Sequence, residues 1–221
     1  MFNLHRILMF TLLTLTASGV AGPLMDELSD KTVAQCLDLL ESPDSGMRVG
    51  ATCSIEYRYL KPGDRINPPT WKEQHPEFPL PPQVVPRLAE HLKSDSDYRV
   101  RLEAMRALGV LRSCTNTTPL VATGLEDTNA YVRVWTCSVL IDISHGYAEP
   151  LVARVIPTLR EYLGVNNPEE PAWLAAWFSG KLGSAGKPLL PDLQNLANHG
   201  SAKVQHYARE AIKSIQKNKR Q

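Results

Sequence analysis

Apolar residues recur with a helical period along most of the chain, and the pattern repeats itself. Residues 85–111 and 118–143 each hold an apolar segment, a polar turn with an aspartate, and a second apolar segment that opens with Val-Arg. Leu88 of the first copy corresponds to Val121 of the second. Because a single helix pair cannot bury its own apolar face, repetition at this period predicts a stack of helix hairpins.

Each segment of the first copy carries an apolar stripe, with Leu88 and Leu92 in the first segment. Val100, Ala104 and Leu108 lie on one stripe, and Ala104 is small where the two helices should approach closest. A larger side chain at Ala104 should therefore overpack the core. Arg106 lies off the stripe, so the sequence predicts that Arg106→Leu harms the fold less than Ala104→Leu.

Three weaker copies extend the repeat to both sides, at residues 33–55, 155–183 and 189–212. In the first of these, Asp44 is matched with Asp95 of the template. Spacings between corresponding positions of the last four copies are 33, 38 and 34 residues, which suits one helix hairpin per repeat. The chain is predicted to be an all-α solenoid of about five stacked helix hairpins.

The pattern Leu-x3-Leu, Asp, Val-Arg and Ala-x3-Leu resembles the HEAT repeat, and its short period is similar to the HEAT-like repeats of phycobiliprotein lyases. The resemblance covers about residues 33–215 and implies a right-handed α-solenoid whose second helices line the concave face. It also implies a structural ladder in which second-helix arginines pair with turn aspartates. The ladder residues are Arg48, Arg101, Arg133, Asp44, Asp95 and Asp127. The ladder should end where Ala175 and Gln205 replace the arginine. Lyase activity does not follow, because the repeat is a scaffold that many non-enzymes share.

The N-terminus has the pattern of a secretory signal peptide. A short basic start precedes the apolar residues 7–15, and small residues stand before the expected cleavage site after Ala21. The alternative is an uncleaved anchor, but the apolar run is shorter than the roughly 18 residues that span a bilayer. We expect a signal peptide over 1–21, one domain over 22–221, a secreted or periplasmic location, and no membrane insertion after cleavage.

Residues 56–82 interrupt the repeats with seven prolines and four aromatic residues, among them Trp71. So many prolines exclude a helix, and the aromatic residues favour an ordered loop that packs on the solenoid. The loop is either a tolerated insertion or a binding element, since long loops in compact domains are often functional. Trp71 is a candidate partner-binding residue.

Charge and motifs give no sign of nucleic-acid binding or catalysis. The chain has 24 basic and 23 acidic residues, and the neutral balance offers no large electrostatic attraction for nucleic acid. The sequence lacks the common zinc, nucleophile-elbow and dinucleotide motifs. Asp142, Ser144 and His145 are close in sequence, but adjacency is not a catalytic triad. We expect a non-enzyme with no cofactor and no metal.

Four cysteines in an exported chain favour disulfides, with three possible connectivities. We predict the sequence-local pairs Cys36–Cys53 and Cys114–Cys137. The alternative for Cys36, which stands at a core register, is a buried small apolar residue.

One register of the second helices is aromatic in three consecutive repeats, at Trp135, Trp177 and Tyr207, whereas Gly50 and Glu103 hold it earlier. The aromatic residues either pack between repeats or form an exposed column, and Trp and Tyr dominate binding hot spots.

The sequence thus favours an exported, non-catalytic scaffold that binds a protein or peptide on its concave face. The alternatives are a structural or assembly component of the cell envelope, and an inhibitor or immunity factor for an exported enzyme or toxin. The sequence leaves the partner and the oligomeric state open.

Overall fold

The computed structural model describes residues 28, 31–59, 80–111, 116–143 and 149–217, and all regular structure in these ranges is helical. Successive helices pair into five hairpins within these ranges, which confirms the predicted all-α repeat. The chain divides into two compact units, residues 1–117 and 118–221. The expectation of one mature domain over 22–221 stays a prediction.

The first unit contains two hairpins. Helix α1 spans Val33–Leu39 and α2 spans Ser45–Tyr59, while α3 spans Val84–Ser94 and α4 spans Tyr98–Leu111. The members of each hairpin pack on each other, and the two second helices, α2 and α4, also pack together. In the first unit, the second helices therefore form the main helix contact between the two repeats.

Helix α1 begins at a capping box. The hydroxyl of Thr32 accepts a hydrogen bond from the Gln35 N–H at 3.2 Å, and the Gln35 side chain accepts one from the Thr32 N–H at 2.8 Å. Two backbone donors at the helix start are satisfied in this way. The predicted core stripe of α4 is confirmed, because Val100, Ala104 and Leu108 are fully buried.

The second unit contains three hairpins. Helix α5 spans Thr118–Thr123 and continues as a 3-10 turn over Gly124–Glu126, α6 spans Ala130–Ile143, α7 spans Glu149–Tyr162 and α8 spans Glu169–Lys181. A 3-10 segment, Gly183–Leu189, leads to α9 over Leu190–His199 and α10 over Ala202–Lys217. The second helices α6, α8 and α10 again pack on one another in order.

Helices α8 and α10 come closest at two small residues. A Cβ atom added to Gly180 would lie only 3.0 Å from the Ala211 Cα and 3.3 Å from its Cβ. Any larger residue at Gly180 would push the helices apart. This close contact lies about one turn after Trp177 on α8 and Tyr207 on α10, so it keeps these parts of the two helices near each other.

The predicted limits of the insertion at residues 56–82 are wrong at the N-terminal side. Helix α2 runs through Tyr59, so residues 56–59 belong to the repeat. The physical reason is that the first proline of the stretch is Pro62, and nothing before it interrupts the backbone hydrogen bonds of the helix. Residues 60–79, with Trp71, lie outside the described residues.

A turn of fixed geometry joins the helices of the first three hairpins. The guanidinium of Arg48 donates to the carbonyls of Ser42 at 2.8 Å and Pro43 at 3.3 Å, six and five residues earlier. Arg101 and Arg133 make the same two bonds to the carbonyls at those offsets, at 2.6–3.4 Å. Gln205 keeps one of them, since its amide donates to the Gly200 carbonyl at 2.9 Å.

The aspartates of these turns occupy two different positions. Asp95 and Asp127 lie six residues before the arginine, and each accepts a hydrogen bond from the N–H two residues later, at 2.9 and 2.7 Å. Asp44 lies only four residues before Arg48 and accepts from the Gly46 N–H at 2.7 Å.

The expected match of Asp44 with Asp95 is therefore wrong by two residues. Asp97 and Asn129 occupy the position of Asp44, and Ser42 occupies that of Asp95, with its hydroxyl accepting from the Asp44 N–H at 3.2 Å. Ser, Asp and Asn can all accept from the backbone two residues on, so residue type alone did not fix the register.

Candidate functional site

Three aromatic rings from α8 and α10 meet in the second unit. The ring centroids of Trp173 and Tyr207 are 4.9 Å apart, those of Trp173 and Trp177 are 6.2 Å apart, and those of Trp177 and Tyr207 are 6.1 Å apart. Trp177 and Tyr207 are half-buried, so this cluster reaches the surface. Together with Lys203, these three residues are called the aromatic patch.

Trp135 does not belong to the patch, although it shares the predicted register. Its side chain is only 8% exposed, and its ring meets Phe178 edge to face at 5.2 Å. Trp135 thus fills the core between α6 and α8. The structure separates the predicted column into a core member and two surface members, Trp177 and Tyr207.

Trp173 is a member of the patch that sequence reasoning missed. It lies four residues before Trp177, and residues at this spacing share a helix face. The spacing alone could therefore have predicted that Trp173 lies beside Trp177. Trp173 is 7% exposed, and its buried indole N–H has no hydrogen-bond acceptor among the described residues. The predicted column included one residue from each second helix, so it did not include Trp173, which lies one turn before Trp177 on the same face of α8.

Two lysines flank the rings. The ammonium of Lys203 lies 4.1 Å from the centroid of the Trp173 ring, within the range of a cation–π interaction. The ammonium of Lys181 donates to Asp142 at 2.7 Å and to Ser138 at 3.0 Å, and it lies 5.7 Å from the Phe178 ring. Lys181 is therefore neutralised by a carboxylate, whereas Lys203 rests on an aromatic face.

In the first unit, Glu103 of α4 holds the register that Trp177 and Tyr207 hold in the second unit, and it belongs to a cluster of charged side chains. Glu103 of α4 and Glu56 of α2 are both buried, and both bind Arg106, whose guanidinium lies 3.2 Å from Glu103 and 3.4 Å from Glu56. Arg106 was expected off the core stripe, yet its side chain is only 11% exposed because α2 packs over that side of α4. Two carboxylates share one cation here.

Burial dominates the electrostatics of this cluster. Desolvation raises the pKa of Glu56 to about 7, and the charge of Glu103 adds to the shift while Arg106 opposes it. Desolvation likewise raises the pKa of the Cys53 thiol well above its usual range, with Glu103 and Glu56 adding to the effect. Glu56 is therefore a group of this cluster that titrates near neutral pH.

One pair of the expected ladder is present between neighbouring turns. Arg48 makes a bidentate ion pair with Asp95 of the next hairpin, at 2.8 and 2.9 Å. Burial raises the pKa of Asp95, but hydrogen bonds from Arg48, the Asp97 N–H and His91 outweigh it, and the net pKa is lowered. Arg133 pairs with Glu161 at 3.1 Å.

The cysteine pairing expected in the first repeat is wrong for this structure. Cys36 and Cys53 are buried thiols that are not joined by a disulfide. Cys53 packs with Val49 and Val100 in the core, where a thiol behaves as a small apolar group. Cys137 is a buried thiol as well, and Cys114 lies outside the described residues.

The described thiols and the imidazole of His91 are buried or already engaged in this structure. Burial raises the pKa of Cys137 and of Cys53, so neither thiol is activated as a nucleophile. His91 hydrogen-bonds at 3.1 Å to Asp95, a carboxylate that Arg48 already engages. In the described part of the chain, no group of three or more His, Cys, Asp or Glu residues is arranged to hold a metal ion.

Comparison with known proteins agrees with the hairpin architecture. Residues 85–178 match the family model of HEAT repeats. The chain has a HEAT-repeat fold. The matched HEAT repeats begin in α3 and end in α8, and the first and last hairpins continue the same helix pairing beyond them.

Two solved structures are similar to this chain in fold. One is the complex of CpcE and CpcF of phycocyanin lyase from Nostoc sp. PCC7120, with 22% identity, a TM-score of 0.55, and coverage of 89% of this chain and 67% of that chain. The other is an engineered protein, with 19% identity, a TM-score of 0.55, and coverage of 87% and 89%. At such identities the likeness establishes the fold alone. No curated protein sequence matches the chain significantly.

No helix within the described ranges is long and apolar enough to cross a membrane.

Proposed function

We propose that this protein is an exported, non-catalytic scaffold that binds a protein or peptide through the aromatic patch. The observation that carries the proposal is the cluster of Trp173, Trp177 and Tyr207, which reaches the surface on the second helices of adjacent repeats. Large, stiff aromatic side chains provide contact area at a low cost in conformational entropy, and Trp and Tyr are enriched among binding hot spots.

The HEAT-repeat fold supports this proposal. Stacked hairpins present extended surfaces, and such surfaces serve mainly for binding other macromolecules. One similar structure is itself a complex of two proteins, CpcE and CpcF. A non-catalytic role is supported by the thiols, which burial keeps protonated.

The decisive experiment compares two tyrosines. Tyr207→Ala removes a ring of the patch, and Tyr98→Ala removes a tyrosine that is 38% exposed in the first unit. We expect cross-linking in the exported fraction to yield one stoichiometric partner with the wild-type protein and with Tyr98→Ala, but not with Tyr207→Ala. Thermal unfolding of Tyr98→Ala should match the wild type, whereas Tyr207→Ala should unfold at a somewhat lower temperature because it removes a ring packed against Trp173, and circular dichroism should show that it still folds. Equal capture by both variants would rule out the patch as the binding site.

Export is a separate part of the proposal and has its own test. The N-terminal pattern of residues 1–21 supports cleavage near Gly22. N-terminal sequencing of protein from the periplasm or medium should find a chain that starts near that residue. Full-length protein in the cytosol would contradict it.

The nature of the captured partner decides between the scaffold and its two alternatives. Sedimentation of most of the protein with envelope fragments would favour a structural role. Inhibition of an exported enzyme or toxin by the purified protein would favour an inhibitor or immunity factor.

A further inference from the structure

We infer that the aromatic patch recognises an acidic segment of its partner, with a carboxylate of that segment placed against the Lys203 ammonium. This inference rests on the proposed function and adds the chemistry of the ligand to it. Two features of the second unit carry it: the way in which the ring faces are occupied, and the charge at the start of α10.

The ring faces of the patch are already engaged within the protein. Trp177 stacks with Trp173 and, at 5.3 Å, with Phe178, while Lys203 covers a face of Trp173. Trp177 and Tyr207, the half-buried members of the patch, can offer ring edges and a phenolic hydroxyl to a partner. Ring edges carry partial positive charge, and a phenolic hydroxyl can donate a hydrogen bond, so both favour an anionic or acceptor group.

The first turn of α10 carries a cation, Lys203, that rests on an aromatic ring. Lys203 stands in the first turn of the helix, where the helix dipole disfavours cations, and this turn contains no acidic residue. In the ranges that the structure describes, no carboxylate forms an ion pair with Lys203. Glu169 lies at the same helix end, but it accepts a hydrogen bond from the Ser201 hydroxyl at 2.8 Å. Lys203 is thus the cation of this surface that an incoming carboxylate can pair with.

A basic partner segment fits the patch poorly. Its cation would compete with Lys203 for the Trp173 face and would be repelled by the ammonium 4.1 Å from that ring. An acidic segment would meet the opposite situation, since it would neutralise Lys203 and place an apolar neighbour against Trp177 and Tyr207. Charge therefore selects the acidic class.

The test uses peptides as the probe. A random 12-residue library displayed on phage is selected against the immobilised full-length chain, and the enriched peptide is synthesised with Glu, Gln or Lys at its most frequent acidic position. We expect enrichment of Asp or Glu next to a large apolar residue.

We expect Lys203→Glu to weaken the binding of the Glu peptide by about tenfold or more. The same variant should bind the Lys peptide more tightly than the Glu peptide. Lys213→Glu changes the net charge equally about 15 Å further along α10 and should have little effect.

The outcomes separate this inference from the proposed function. If binding depends on Tyr207 but Lys203→Glu leaves the order of the three peptides unchanged, the patch binds peptides and the acidic class is wrong. If basic peptides are enriched on the wild-type chain, the acidic class is likewise wrong. If no selected peptide depends on Tyr207, the proposed site itself fails. Equally tight, Lys203-dependent binding of a single-stranded oligonucleotide would overturn the assignment to an acidic peptide. Unchanged circular dichroism of each variant shows that folding is not the cause.

Discussion

Arg106 holds two buried carboxylates between α2 and α4, and its environment reverses the ranking expected from the sequence. Replacing it with Leu would leave Glu56 and Glu103 without their shared cation, which costs about 3–5 kcal/mol for a buried pair. Overpacking by Ala104→Leu costs about 1–3 kcal/mol. Urea unfolding should thus show Arg106→Leu to be at least as harmful as Ala104→Leu. Arg160→Leu, at an exposed pair with Asp192, is the control.

A result in which Arg106→Leu is as mild as Arg160→Leu would contradict this account of the cluster. The sequence could not have shown the outcome, because the angular position of Arg106 on α4 is indeed off the stripe. What buries it is α2, a helix about 50 residues away in sequence, since Arg106 binds Glu56 at a separation of 50 residues.

Glu56 should make the stability of the protein depend on pH. Its pKa is about 7 in the folded chain against a usual value of 4.5, so between these values the folded state binds a proton that the unfolded state has released. The contribution of Glu56 to the free energy of unfolding is therefore greatest below about pH 4.5. This contribution is lost as the pH rises through 7, and the loss is about 3 kcal/mol at most. Glu56→Gln should remove this decline in denaturant unfolding measured from pH 5 to 8.

Glu41→Gln is a matched control for the pH experiment, because Glu41 is 55% exposed in the same unit. That variant should keep the pH profile of the wild type. Parallel profiles for the wild type and Glu56→Gln would show that Glu56 does not carry the dependence.

The three described thiols should resist alkylation in the folded protein. Burial covers Cys36, Cys53 and Cys137, and it raises the pKa of Cys53 and Cys137 and so suppresses the reactive thiolate. We expect iodoacetamide to modify none of them in native protein and all of them after unfolding without reductant. Mass spectrometry of a peptide that joins Cys36 to Cys53 would contradict this result.

At the scale of helices, most of the architecture could be predicted from the sequence. The helical period of the apolar residues predicted the five hairpins, because helices that pack on each other need apolar residues at regular spacings on the buried face. The position of Asp44 and the length of α2 were wrong, for local reasons. Polar turn residues are interchangeable, and a helix stops only where a proline or a lost contact stops it.

The ion pair of Arg48 with Asp95 should stabilise the contact between the first two hairpins. The Arg48 side chain is 12% exposed and that of Asp95 is 4% exposed, so solvent screens the pair little. A double-mutant cycle with Arg48→Met and Asp95→Asn should give a coupling energy of about 1–3 kcal/mol in urea unfolding. The exposed pair of Lys213 with Glu210 should show a much smaller coupling in the same design. Additive effects of Arg48→Met and Asp95→Asn would show that the two hairpins are held together by other contacts.

At the scale of the whole molecule, the sequence predicted the repeat but only part of the candidate site. It indicated Trp177 and Tyr207, which share a register. It could not tell that Trp135, at the same register, is covered by Phe178, because burial depends on the neighbouring helix. Trp71 stays a prediction, as does export.

The ring cluster also gives the protein an optical signature. Three of the four tryptophans, Trp135, Trp173 and Trp177, lie on α6 and α8 of the second unit. With Trp173 and Trp177 centroids only 6.2 Å apart, their electronic transitions couple and excitation passes between them. Intrinsic fluorescence and near-ultraviolet dichroism will consequently report chiefly on the second unit. An unlabelled sample can show when a ligand reaches those rings, and Trp71 is the one tryptophan of the sequence in the first unit.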